Sequence, residues 1–196
     1  MYRFLIVSVL TSALAVSSVW GVEEGSLHDA AAYLASGEGD RAAAELMAYG
    51  RREPAAPLAN QALDCVLLLY KKKIKPDVLA SYVDALALLA DGYASTADVV
   101  FREMGANRAL PWAIRGRATL LAADFDSRGD RVALLERAWR ECDDDTARLL
   151  GVALAEAYYK EGRVKEARKI RDDFEKRFPG DEGLKYFEYL PEEAER

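Results

Sequence analysis

One feature limits this chain more than any other. A pair of helical apolar stripes joined at a glycine occurs twice in succession. Leu121, Ala122, Phe125 and Gly129 reappear 33 residues later as Leu154, Ala155, Tyr158 and Gly162. The returning stripes agree at an offset of 32, with Val132, Leu135, Ala138 and Cys142 matched by Val164, Ala167, Ile170 and Phe174. Each hairpin of this kind leaves one face uncovered. A repeat of this length therefore predicts that neighbouring hairpins stack and bury a continuous core.

Helical spacing extends over the rest of the chain, and no run alternates as a strand would. Leu27, Ala30, Ala31 and Leu34 lie on one helical line, and Gly37–Gly39 interrupts it. Ala43, Leu46, Met47 and Gly50 follow, up to the Pro54 and Pro57 boundary. A third stripe runs Leu58, Ala62, Cys65, Val66 and Leu69. Pro76 suits the first turn of a fourth helix, where its missing N–H costs nothing, and Asp91–Gly92 ends that helix. Ser95 reads as an N-cap with Asp98 in the box position three residues on. A short helix from Leu184 to Leu190 closes the series and is expected to cover its end, with Tyr186, Phe187 and Tyr189 sealing the last unit. Trp112 and Trp139 fall at core positions. The expected fold is all-α, about ten helices in stacked hairpins. The clearest units are 114–142 and 147–181, within a helical domain spanning 22–190, and 191–196 is a polar tail.

The N-terminus is of a different kind. Arg3 precedes an uncharged run of 19 residues from Phe4 to Val22, and Glu23 and Glu24 then open a polar chain. This is the layout of a secretory signal peptide over residues 1–21. Small residues allow cleavage after Ala15, Ser17 or Gly21. The run is also long enough to be retained as a transmembrane anchor. The expected locations are thus periplasmic or secreted, or anchored and facing the periplasm.

Several kinds of chemistry find no support. A net charge of −6 does not favour a nucleic-acid backbone. The basic run Lys71–Lys73 with Lys75 suits a helix C-terminus, where cations complement the dipole. Asp143–Asp145 lies directly ahead of a helix, where carboxylates favour its positive end. His28 is the single histidine and has no nucleophile motif around it. Cys65 and Cys142 are the two cysteines, both on apolar faces and without a CxxC spacing, and read as buried thiols. No metal, cofactor or catalytic set is expected.

Residues 154–181 resemble a tetratricopeptide repeat (TPR). Leu154, Ala155, Tyr158, Gly162, Ala167 and Pro179 fill the family's positions, and the "RFPGD" wording is similar to that of exported bacterial envelope members. Gly151 departs from the pattern by standing where the family often has Trp or another large residue. Arg171 and Phe174 depart from it too.

The resemblance implies an α-solenoid, a right-handed superhelix of hairpins. It also implies a non-catalytic adaptor that holds a segment of a partner protein in a concave groove. An accessory factor of outer-membrane assembly and a membrane-anchored adaptor are the variants of that reading. Carried over by position, the groove residues are Val152, Glu156, Tyr159 and Lys160 in the last unit and Thr119, Ala123 and Asp126 in the one before.

Overall fold

The computed structural model describes residues 26–52, 58–125 and 128–188. The signal or anchor segment, the 191–196 tail, Asp126 and Tyr189 lie outside these residues. The described chain is all-helical and contains ten helices. They are α1 Leu27–Ala35, α2 Gly39–Arg52, α3 Ala59–Tyr70, α4 Pro76–Ala90, α5 Ala94–Ala106, α6 Trp112–Asp124, α7 Arg131–Glu141, α8 Asp144–Lys160, α9 Val164–Arg177 and α10 Leu184–Phe187.

Consecutive helices pack as hairpins, and the first helices of neighbouring hairpins also touch, as α4 does α6 and α6 does α8. Four hairpins, α1–α2, α4–α5, α6–α7 and α8–α9, turn on Gly37, Gly92, Gly129 and Gly162, all at positive φ between 71° and 85°. Glycine carries no Cβ penalty in that region, which is why it terminates helices so often. Three of these turns share one hydrogen-bond pattern. The glycine N–H donates to the carbonyl three residues back, and the next N–H donates to the carbonyl five back: Glu38 to Tyr33 (2.7 Å), Tyr93 to Leu88 (2.8 Å) and Arg163 to Tyr158 (2.8 Å). The α4–α5 hairpin thus belongs to the same series, although its sequence shows no clean period.

α3 is the exception to the alternation. It pairs with α2, makes few contacts with α4, and reaches across to later hairpins through side chains. Leaving α3 aside, α1 packs broadly against α4. The core runs through the whole series without a break, with Leu34, Leu46, Leu79, Leu86, Phe101, Ile114, Leu135, Leu150, Leu154 and Phe174 fully buried.

Local expectations are met in places and corrected in others. Ser26 caps α1 by accepting from Asp29 N, and Asp143 caps α8 by accepting from Thr146 N at 2.9 Å. Asp144 and Asp145 are taken up by Arg177 and Lys72. Ser95 is not an N-cap, because α5 begins at Ala94 with Tyr93 ahead of it. Asp98 is instead buried and accepts both bonds from Arg102 Nε, at 2.9 and 3.1 Å. Phe125 does not repeat the role of Tyr158. It lies one residue past the end of α6 and is 40% exposed, whereas Tyr158 sits inside α8 and is 6% exposed. At the C-terminal end Phe187 seals the core against Phe174, but Tyr186 points outward at 64% exposure. Both cysteines are buried free thiols.

Candidate functional site

A groove of about 380 Å³ opens along α6 and α8, floored by Tyr82 of α4 and walled on one side by α3. α6 contributes Arg117, Leu120 and Asp124, and α8 contributes Leu149, Ala153 and Glu156. Each set is spaced by three or four residues, so it forms one line along its helix. From α3 come Asn60, Gln61 and Asp64.

Ion pairs hold the walls. Arg117 makes a two-pronged bond to Asp64, through Nε and through Nη2 at 3.0 Å, and its Nη1 donates to the Ala113 carbonyl at 2.9 Å. Burial works against the guanidinium charge, but Asp64 outweighs it and holds the Arg117 pKa above its ordinary value. Arg131 Nη2 meets Asp124 at 3.2 Å, and Lys160 meets Glu156 at 2.6 Å. Enclosure pushes the Asp124 carboxyl up, Arg131 pulls it down, and nearby Glu156 pushes it up again; the net shift is upward. Burial keeps the Tyr82 phenol neutral, with its pKa well above the usual range. Gln61 Oε1 is buried and accepts no hydrogen bond among the described residues. The site is therefore a strip of Leu120, Leu149 and Ala153 set between charged pairs. His28 lies elsewhere, 2.8 Å from Asp91 where α1 meets α4.

The seven expected groove residues do not converge. Glu156 lines the groove, and exposed Lys160 joins it as the ion-pair partner of Glu156. Val152 is half-buried and packs against the core. Tyr159 faces a different cavity, about 440 Å³, between α9 and α10, beside Arg168, Arg171, Leu184 and Phe187. Thr119 and Ala123 are corrected: Thr119 borders a separate, smaller cavity of about 160 Å³ with Gly105, Trp112 and Arg115, and the two residues, 3% and 1% exposed, do not line this groove. The reason is α5, which packs closely on α6. A Cβ on Gly105 would stand 2.6 Å from Thr119 Oγ1, and Ala123 lies one turn further along α6. Asp126 lies outside the described residues.

Repeat alignment carried Glu156 back to Ala123, whereas the open line of α6 passes through Leu120 and Asp124. Arg117, Leu120 and Asp124 could have been found from their own spacing within α6. The α3 helix was expected from its stripe of Leu58, Ala62, Cys65, Val66 and Leu69, but its place as a wall beside α6 and α8 carried no sequence signal. No protein-family model matches the chain, no curated protein matches its sequence, and no solved structure matches its fold.

Proposed function

We propose that this protein is a non-catalytic interaction scaffold of TPR-like hairpins that holds a segment of a partner protein in the α3–α4–α6–α8 groove. The observation that carries the reading is the groove itself, an open apolar strip between fixed charges, with Leu149 still 41% exposed at its rim. A partner side chain can bury against Leu120, Leu149 and Ala153 while polar groups meet the flanking pairs. Ligand grooves commonly combine apolar walls with a few placed polar groups in this way. The uncharged N-terminal run supports a scaffold that works in the cell envelope, exported or anchored.

The test is capture of partners from an envelope extract on the tagged chain, beside Leu149→Asp/Glu156→Lys. Both positions are solvent-facing, so the variant keeps its helical circular dichroism. A single stoichiometric protein, retained by the parent and lost from the variant, supports the scaffold. Retention that ignores both changes, or a folded bait that retains nothing, sinks it.

A further inference from the structure

α3 carries a second, separate surface. Its inner face buries Ala62, Cys65 and Leu68. Its outer face should be polar in a surface helix, yet it presents Leu63, Leu67 and Tyr70 at 38%, 57% and 53% exposure. The spacing of four and then three residues sets these side chains in one ridge, about 10 Å long at 1.5 Å per residue. Single exposed leucines are ordinary on a protein surface. Three large side chains in line on one helix form a contiguous patch, and such patches mark contact surfaces.

The charges around the ridge define its occupant. At one end Gly50 of α2 packs so closely that Leu63 Cγ lies 2.7 Å from where a Cβ on it would stand, and exposed Arg51 follows directly. At the other end are exposed Lys71, Lys73 and Lys75. Among the described residues the nearby carboxylates are engaged: Asp40 accepts from the Tyr70 hydroxyl at 2.6 Å, Asp64 accepts from Arg117, and Asp145 binds Lys72. Among the described residues both ends of the ridge thus carry exposed basic side chains, in a chain whose net charge is −6.

We infer that this ridge docks an amphipathic helix of a partner protein, apolar along its centre and bearing carboxylates at both flanks. A second copy of the chain is a poor fit, because an antiparallel pair of ridges would set Arg51 of one against the lysines of the other. An anionic bilayer is a poor fit as well. The acidic chain as a whole is repelled by such a surface, and Tyr70 is tethered at its tip to Asp40 rather than free to insert. The ridge adjoins the groove wall but is not part of it: Leu63, Leu67 and Tyr70 do not line the groove, to which α3 contributes Asn60, Gln61 and Asp64.

The experiment is a display selection of random helical peptides on the immobilised full chain. Recovered peptides are measured against the parent, Leu67→Asp, Lys71→Glu/Lys73→Glu and the groove variant Leu149→Asp. Leu67 is exposed, so an unchanged melting curve for its variant verifies the fold, and Leu67→Lys serves as a second probe of the ridge. The expected peptides have apolar residues at helical spacing with Asp or Glu on either side. They lose at least about tenfold in affinity on Leu67→Asp, the scale of a central interface residue. They weaken on the double lysine variant, with reduced salt dependence, and bind Leu149→Asp as they bind the parent. Failure to recover any peptide sensitive to Leu67 overturns the inference. So does recovery of basic peptides, or sensitivity confined to Leu149→Asp. Two further results also overturn it: Leu67-dependent dimerisation in sedimentation, and Leu67-dependent binding to phosphatidylglycerol vesicles. A photocrosslink from position 67 to residues 4–22 would assign the ridge to the chain itself and would equally overturn it.

Discussion

Trp139 of α7 occupies the space that a side chain on Gly151 of α8 would need. A Cβ built at Gly151 stands 2.8 Å from Trp139 Cζ3 and 2.8 Å from Phe174 Cδ2. The two rings are stacked, 6.5 Å apart and 9° from parallel. The space beside Gly151 is thus filled by a side chain from the preceding hairpin. Gly151→Ala gains about 1 kcal/mol of helix propensity but overpacks the rings at a cost of about 1–3 kcal/mol. The net loss should be about 1 kcal/mol, lowering the melting temperature by about 2–4 °C in a domain of this size. In a Trp139→Leu background the added methyl should cost less, because only the Phe174 contact remains. Equal cost in both backgrounds, measured by thermal denaturation, would refute the relationship.

Asp98 joins hairpins instead of capping a helix. It is 1% exposed and is held by Arg102, which also meets Asp130 at the start of α7, 2.8 Å away. Removing one partner of a buried pair strands the other, at about 3 kcal/mol. Asp98→Ala should lower the urea midpoint accordingly. Asp98→Asn, which keeps an acceptor, should do less harm. A midpoint within error of the parent for Asp98→Ala would show that Arg102 is satisfied without it.

The Arg117–Asp64 bond is the principal tie from α3 to α6. Arg117→Met leaves a half-buried carboxylate unpaired, at about 1–3 kcal/mol. The effect should be local first, with α3 amides exchanging faster than those of α6 and α8. Asp64→Leu added to Arg117→Met should recover part of the loss, because the two sites are coupled. Additive losses in the double variant would dismiss the tie.

Tyr158 sets a limit at alkaline pH. Burial, and then its hydrogen bond to Glu136, push its pKa from 10.0 up to about 12. Unfolded chains lose this proton near 10.0 while the folded chain keeps it to about 12, so in that window the native state binds more protons. Stability from this group therefore falls as pH rises from 10 toward 12. Tyr158→Phe should flatten that decline while lowering stability at neutral pH. The one phenolate that the folded parent shows beyond the Tyr158→Phe variant should appear only near the top of the range. Ionisation of all tyrosines near 10 would contradict the assignment.

Neither thiol should react in the native state. Cys65 is fully buried and Cys142 is 7% exposed, and burial raises both pKa values away from the reactive thiolate. A thiol reagent should label both cysteines only on unfolding. Rapid labelling of Cys65 under native conditions would mean that α3 opens readily from the core.

Much of the fold was legible because helix formation leaves a local trace. Apolar residues three and four apart, Pro76 at a first turn and Asp143 before a helix are read without knowing what lies across the core. Gly129 and Gly162 were legible for the same reason, since a left-handed turn demands a particular residue. The groove was only partly legible. Glu156 lines the groove, whereas Thr119 and Ala123, expected from the pattern of the neighbouring repeat, are buried, because burial depends on the packing neighbour rather than on the repeat. Asp98 shows the same limit from the opposite side, as a capping spacing that tertiary packing converted into a buried bridge.

By itself, then, the sequence determined the all-helical class, the glycine turns, the order of the hairpins at the C-terminal end and the positions that face inward. These follow from backbone preference and from apolar periodicity, which act within a few residues. Only the tertiary structure decided that α3 stands as a wall beside α6 and α8, that Trp139 fills the space above Gly151, and which line of α6 stays open. Those outcomes turn on contacts between residues tens of positions apart, and each depends on the shape and charge of a partner that no local spacing specifies.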